Sequence, residues 1–318
     1  MKLLTFVAGP AQRVGALVDE TVVDVTVAYA AALAAEGHPR AEGVAAATLP
    51  PDMREILQGG DAALEAARRG VRFVEGRLKG GAAPAGPGGA RIAYPLKEVR
   101  VRPPVPDPQK IIGIGLNYRD HCAEQGIELP KVLMTFPKFA DAVIGPEDAI
   151  VIPRGCEQLD WEVELTFVVG RRARYVEPAD AFAYIAGYTV GNDVSARDFQ
   201  FADKQVMRGK ACETFAPMGP YLVLRDEVPD PHNLKVESRL NGKVMQSSNT
   251  SNLVHNIPAI VAWVTKHLTL QPGDCVMTGT PSGVGVFRKP PVFMKPGDVI
   301  EMEIQGLGVL RNPVIASD

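Results

Sequence analysis

The segment Gly80-Gly81-Ala82-Ala83-Pro84-Ala85-Gly86-Pro87-Gly88-Gly89 constrains this chain more than any other stretch. Glycine gives the backbone its greatest freedom and proline removes an amide donor, so neither a regular helix nor a central strand runs through it. The chain is expected to divide there into a small N-terminal α+β domain, residues 1–95, and a larger domain, residues 96–318. A length of 318 residues accommodates both.

The two sides differ in pattern. Before the break, Lys2 to Phe6 and Val14 to Val25 read as short strands, and the Ala-rich stretches Val27 to Ala47 and Met53 to Leu78 suit helices. Beyond it, short Val- and Ile-rich runs bounded by Gly, Pro, Asn and Asp predict strands over Lys110 to Ile114, Trp161 to Val169, Ala186 to Val190, Tyr221 to Leu224, Asp274 to Thr278 and Asp298 to Ile304. Helices are expected over Tyr118 to Gln125 and over Pro258 to His267, the second with proline in its first turn. The fold class is α+β and β-rich.

Charge removes other classes. Lys plus Arg number 34 against 37 Asp plus Glu, a net charge of -3 without a basic block, which argues against a nucleic-acid partner. The apolar run Leu3 to Ala8 is too short for a signal-peptide core and stops at Gly9-Pro10, and no stretch approaches the roughly 18 to 20 apolar residues of a membrane span. Cys122, Cys156, Cys212 and Cys275 are scattered without a C-x-x-C pair, so reduced thiols and a cytoplasmic location are expected.

Three constellations could carry chemistry. In Asp160-Trp161-Glu162-Val163-Glu164-Leu165, alternation on a strand puts Glu162 and Glu164 on one face. The plain reading of such a pair is the solvated face of an edge strand. A third carboxylate, Asp193, ends the apolar run Gly187 to Asn192, and three carboxylates without thiolate or imidazole favour Mg²⁺, Mn²⁺ or Ca²⁺ over zinc. The second constellation is His121 and Glu124, i and i+3 on a helix, where a carboxylate orients an imidazole and raises its basicity. The alternative is a surface ion pair. Cys122 points about 100° away from His121 on a helix and does not form a Cys–His nucleophile with it.

The third constellation pairs Arg208-Gly209-Lys210 with the glycine-rich run Thr278-Gly279-Thr280-Pro281-Ser282-Gly283-Val284-Gly285. Such turns can present backbone N–H groups to an anion, and a lysine can neutralise an enolate. Neither is a Walker loop, and Gly113-Ile114-Gly115 lacks the third glycine of a dinucleotide fingerprint. His38, His232, His255 and His267 show no metal-ligand spacing.

In this order and spacing, Ile112 to Tyr118 with His121 and Glu124, Asp160 to Leu165, Gly187 to Asp198 and Thr278 to Gly285 resemble the fumarylacetoacetate hydrolase family over about residues 100 to 315. The resemblance implies a mixed β-roll-like catalytic fold, usually a homodimer, with Mg²⁺ or Mn²⁺ on Glu162, Glu164 and Asp193. It implies a mobile lid carrying His121 and Glu124, a lysine beside the metal at Lys210, and a substrate-carboxylate contact at Thr280. Gly279 and Tyr118 stand with Thr280 as candidate substrate contacts. Gln200 or Gln205 matches a substrate-binding glutamine, although Val206 occupies the position of a family tryptophan.

The expected reaction is hydrolysis of a C–C bond in a 2,4-diketo acid of the acylpyruvate type, with His121 and Glu124 activating water and Lys210 stabilising the enolate released. Alternatives are an oxaloacetate decarboxylase, an isomerase or tautomerase of unsaturated oxo-diacids, or a non-catalytic metal- or ligand-binding protein. The expected partner is a small oxo acid.

Overall fold

Leu3, Leu4 and Phe6 of strand β1 (Lys2–Ala8) are fully buried, and β1 turns at Gly9, φ 68°, into β2 (Ala11–Val18). A second turn leads to β3 (Thr21–Asp24), whose last residue accepts the N–H groups of Thr26 and Val27 and so caps α1 (Val25–Ala35). The computed structural model describes residues 1–78, 85–203 and 205–317. Gly80 to Pro84 of the glycine–proline segment lie outside the described residues.

Each long Ala-rich stretch forms two helices. Gly37, φ 79°, ends α1 before α2 (Ala41–Thr48), and Gly60, φ 61°, separates α3 (Met53–Gln58) from α4 (Gly60–Leu78). Gly70 lets α4 approach α1 closely, since a Cβ there would lie 2.6 Å from the Tyr29 nitrogen. Short strands β4 (Ala93–Pro95) and β5 (Arg100–Arg102) pair with β3 and β1.

The rest of the chain is strand-rich. It runs through β6 (Ile111–Gly115), α5 (Arg119–Gln125), β7 (Met134–Lys138), β8 (Val143–Ile144), β9 (Ile150–Ile152), β10 (Leu159–Asp160) and β11 (Val163–Val169). There follow β12 (Ile185–Asn192), β13 (Ser195–Ala196), α6 (Arg197–Ala202), α7 (Met207–Lys210), β14 (Ala216–Leu224), β15 (Lys235–Leu240) and β16 (Lys243–Asn249). Helix α8 (Ile257–His267) and strands β17 (Cys275–Met277), β18 (Val299–Ile304) and β19 (Gly308–Ala316) complete it.

One sheet runs in the order β4-β3-β2-β1-β14-β12-β11-β17-β6-β7, so the N-terminal hairpin continues the sheet that holds the site. A second sheet, β16-β15-β18-β19-β9, packs against it through Phe167, Val236, Ile300 and Leu310. Residues 110–315 thus form the mixed, β-rich architecture expected. Every residue of β11 is buried between β12 and β17. Glu164 within it and Glu162 just before it are both buried, so the pair does not lie on a solvated edge and its plain reading is overturned.

Candidate metal centre and cavity

Strand register gathers the carboxylates. β11 and β12 run antiparallel with Val163 opposite Asn192, so Glu162 meets Asp193, whose backbone N–H donates to the Glu162 carbonyl at 2.9 Å. Glu164 follows on β11, whereas Glu162 stands just ahead of it rather than within it. One oxygen from each of Glu162, Glu164 and Asp193 lies within 4.8 Å of the others, and all three residues are buried.

Buried like charges need cations. Lys210 Nζ donates to Glu162 Oε2 at 2.8 Å and Asp193 Oδ2 at 2.7 Å, and sits 5.2 Å from the Phe136 ring centroid. Lys138, fully buried, donates to the other oxygen of Asp193. Arg197 spans Glu162 Oε1 at 2.6 Å and Asp160 Oδ2 at 2.8 Å. Burial opposes ionisation of Glu162, yet Lys210, Arg197 and His121 hold its carboxyl down to about 2.

Glu164 is different. Among the described residues it has no ion-pair partner, and its Oε2 accepts the Gly279 N–H at 2.7 Å. Burial first, then Asp193 and Glu162, push its carboxyl well above the usual carboxylate range. Nearby, the buried Tyr118 hydroxyl has no hydrogen-bond partner among the described residues, and burial followed by Glu164 and Asp120 pushes it up. An all-oxygen donor set with one uncompensated buried carboxylate fits a hard divalent cation.

The His121–Glu124 pair forms on α5 as the i, i+3 spacing requires, with Nδ1 to Oε1 at 2.6 Å. His121 is buried and packs 6.0 Å from the Phe287 ring, while Glu124 reaches the surface. An ionised carboxylate can only accept, so Nδ1 carries the hydrogen, and Nε2, without a hydrogen-bond partner among the described residues, is left as the basic nitrogen of the neutral ring. Cys122 is buried on another face and donates to the Leu116 carbonyl, and burial pushes its thiol up.

The glycine-rich run holds the site together by a route that differs from the sequence expectation. Its amides serve the protein's own carboxylates: Gly279 donates to Glu164, Gly283 to Glu124 Oε2 at 2.9 Å, and Gly285 to Asp160 Oδ1 at 2.6 Å. Gly283, φ +100°, accepts no side chain, because a Cβ would lie 2.3 Å from the Met245 carbonyl oxygen.

A cavity of about 70 Å³ opens between these groups, walled by His121, Glu162, Asp193, Arg197, Lys210 and Phe287. Gln200 and Thr280 also line it, Gln200 accepting from Arg197 at 2.9 Å and Thr280 accepting from Gln246 at 2.8 Å. Val206, at the family tryptophan position, is part of the wall. Gln205 is exposed and stands apart from it, Tyr118 is buried behind it, and the Gly279 amide is turned to Glu164.

Three charged residues central to this arrangement escaped the sequence reading as site residues. Arg197 and Asp160 fall inside the quoted motifs, and an aspartate two residues before Glu162 was the available signal. Lys138 lies at the end of an edge strand, Met134 to Lys138, and only the pairing of β7 beside β6 brings it to Asp193.

The geometry brings together a buried cluster of three carboxylates able to hold a metal ion and, on the wall of a small neighbouring cavity, His121 of the histidine–glutamate dyad. Residues 110–315 match Fumarylacetoacetate (FAA) hydrolase C-terminal, and the chain belongs to the fumarylacetoacetate hydrolase family, a family of enzymes. A mitochondrial oxaloacetate tautomerase of Bos taurus is 47% identical over 270 residues, covering 84% of this chain and 81% of that protein. Its Homo sapiens counterpart is 44% identical over 271 residues, with coverages of 84% and 81%. The solved fumarylacetoacetate hydrolase of Exiguobacterium antarcticum is 30% identical with a TM-score of 0.77, covering 100% of both chains. A maleylpyruvate hydrolase from Sphingobium sp. SYK-6, solved in complex with manganese (II) ion and pyruvate, is 29% identical with a TM-score of 0.72, again covering 100% of both. No helix among the described residues is long and apolar enough to cross a membrane.

Proposed function

We propose that this protein interconverts the enol and keto forms of a small 2-oxo dicarboxylic acid of the oxaloacetate type, with Mg²⁺ or Mn²⁺ as cofactor. The observation that carries this reading is the size and lining of the cavity. About 70 Å³ falls well below the roughly 300 Å³ at which pockets for larger ligands begin, and its wall combines one base with two cations. The oxaloacetate tautomerases at 44% and 47% identity support the substrate class.

Glu162, Glu164 and Asp193 would hold the cation, which supplies a Lewis acid for the oxo-acid oxygens. Glu124 fixes the tautomer of His121, so Nε2 takes the proton from the carbon beside the oxo group and returns it in the reverse direction. The proton lost from carbon balances the one gained by the enol oxygen, and no water is consumed. Lys210 sits where negative charge develops on that oxygen, and Arg197, held by Asp160, offers a cation to a substrate carboxylate.

The dyad itself favours a second reading, hydrolysis of an acylpyruvate-type 2,4-diketo acid, because an oriented imidazole also activates water. Oxaloacetate decarboxylation would use the same charges without the water. Purified protein with Mg²⁺ should accelerate ultraviolet decay of enol-oxaloacetate without forming pyruvate, and chelation should abolish the acceleration. Cleavage of acetylpyruvate without that acceleration would replace the tautomerase reading with the hydrolase one, and pyruvate release from oxaloacetate would replace it with a decarboxylase. The reading includes a cytoplasmic location and a homodimer, the dimer supported by exposed Ile127, Leu129, Val132 and Phe139 following the dyad helix; a monomer mass in light scattering would remove the dimer.

A further inference from the structure

Each carboxylate of the cluster has one oxygen tied back by a donor other than Lys210. Glu162 Oε1 accepts from Arg197 at 2.6 Å, Glu164 Oε2 accepts the Gly279 N–H at 2.7 Å, and Asp193 Oδ1 accepts from Lys138. A carboxylate that grips a cation through both oxygens must turn lone pairs of both toward it, and a donor fixed on one oxygen opposes that turn.

Lys138 is the donor that charge balance does not explain. Arg197 also serves Asp160, and the Gly279 amide belongs to the backbone. Lys138 is fully buried and has only Asp193 as an ion-pair partner among the described residues, with the Val194 carbonyl at 3.4 Å. Alternation along β7 buries Phe136 and Lys138 on one face; Phe136 lines the cavity, whereas Lys138 is not part of its wall. Lys210 already donates to Asp193 Oδ2, so this aspartate has a cation before Lys138 is counted. A second buried ammonium has lost its water and repels any divalent ion that Asp193 is to bind. What it adds is orientation.

We propose that Lys138 is a positioning residue that limits Asp193 to one metal contact and thereby selects Mg²⁺ or Mn²⁺ over Ca²⁺. The inference rests on the reading of Glu162, Glu164 and Asp193 as the metal ligands. Ca²⁺ takes roughly six to eight oxygens and accepts carboxylates through both oxygens, whereas Mg²⁺ keeps to about six and retains several waters. Three carboxylates offering one oxygen each suit the smaller ion, with its other positions left to water and substrate. The same three leave Ca²⁺ short of ligands.

The test is calorimetry on the full chain, stripped of metal, with Mg²⁺, Mn²⁺ and Ca²⁺ titrated separately. The unaltered protein should bind Mg²⁺ and Mn²⁺ each about tenfold or more tighter than Ca²⁺. Lys138→Met keeps a long apolar stem without a donor, and should move the ratio of Mg²⁺ to Ca²⁺ affinity about tenfold toward Ca²⁺. A role confined to charge or stability would shift all three ions together, since they carry the same charge, and would leave the ratio unmoved. Asp193→Asn in the Lys138→Met background offers a single ligating oxygen, so it should bring the ratio back toward that of the unaltered protein. The proposal falls if the unaltered chain binds Ca²⁺ as tightly as Mg²⁺, a result that requires no variant to fold. It falls also if Lys138→Met, folded by circular dichroism, keeps the ratio, or if Asp193→Asn does not restore it. Binding of no divalent ion would overturn the metal centre and this proposal together. The expected ratios without oxo-acid turnover would overturn the proposed reaction and support the role of Lys138.

Discussion

Two ion pairs of nearly equal length do unlike things in this molecule. Lys210 and Glu162 meet at 2.8 Å with side chains 5% and 7% exposed, while Arg72 and Glu65 on α4 meet at 2.6 Å with side chains 59% and 60% exposed. Distance does not separate them; solvent does. On α4 water screens the attraction and would solvate either partner left alone. In the cluster, each charge has already lost its water, so the partners are needed to keep one another ionised. Buried charge that a fold must neutralise is a marker of chemistry, whereas exposed charge of the same geometry is not.

Removing Glu162 should show the contrast at its largest. Glu162→Ala takes away one of the two carboxylates holding Lys210 and leaves the Arg197 Nη2 without an acceptor. Urea denaturation should show a loss of about 3–5 kcal/mol, the range for breaking a buried pair from one side. Oxo-acid turnover should vanish with it. A loss no greater than that of an α4 variant would mean that the cluster is solvated in solution.

His121→Ala sharpens the comparison by separating chemistry from stability. It should lower turnover by about 10² to 10⁴, the usual range for a general base, while leaving divalent-metal affinity in calorimetry unchanged. Glu124→Gln keeps the ring in place but weakens the tautomer preference, so its effect should be smaller. Equal loss of metal affinity in His121→Ala would move His121 from base to ligand.

The next effect is a pH dependence of opposite sign at two carboxyls. Glu164 is pushed well above the carboxylate range in the folded chain, so it holds a proton that the unfolded chain has released. That contribution to stability is complete below the ordinary carboxylate range and is lost as pH rises through the raised folded value. Glu162 is held down to about 2, so its contribution is present above the ordinary range and is lost as pH falls toward 2. Urea midpoints in EDTA should therefore decline on both sides. Added Mg²⁺ should flatten the alkaline side alone, and Glu164→Gln should flatten it without metal. An alkaline side already flat in EDTA would show that Glu164 ionises without a cation.

Much of this site is legible in the sequence. The i, i+3 spacing brings His121 to Glu124 because a helix permits nothing else at that distance. Glu162, Glu164 and Asp193 were legible as a set from their chemistry and from the family resemblance. Their convergence depends on Val163 pairing with Asn192, a register that no local pattern encodes. Lys138 was illegible for the same reason, since it reaches Asp193 through strand pairing across β6, β17, β11 and β12. The strands β15, β16 and β19 are also not legible: in Lys235–Leu240 only Val236 and Leu240 are apolar, with Glu237, Ser238 and Arg239 between them, so no apolar run marks the strand. The glycine-rich run shows in sequence only that its amides can meet an anion, and in the fold they face Glu164, Glu124 and Asp160. Sequence shows that donors are free, and only tertiary structure shows which acceptor takes them.

The smallest effect is expected at the other end of the comparison. Arg72→Ala deletes a pair whose two side chains are more than half exposed and lie on one helix seven residues apart. The attraction it removes is screened, and the ordering of two long side chains that it also removes works in the opposite direction. The urea midpoint should therefore not move, and 0.5 M NaCl, on the order of the concentration that shortens the Debye length to a few ångströms, should not move it either. A measurable drop in Arg72→Ala that salt reproduces would show that α4 relies on its surface charges. Solvent exposure would then no longer explain why the 2.6 Å pair on α4 and the 2.8 Å pair in the cluster differ.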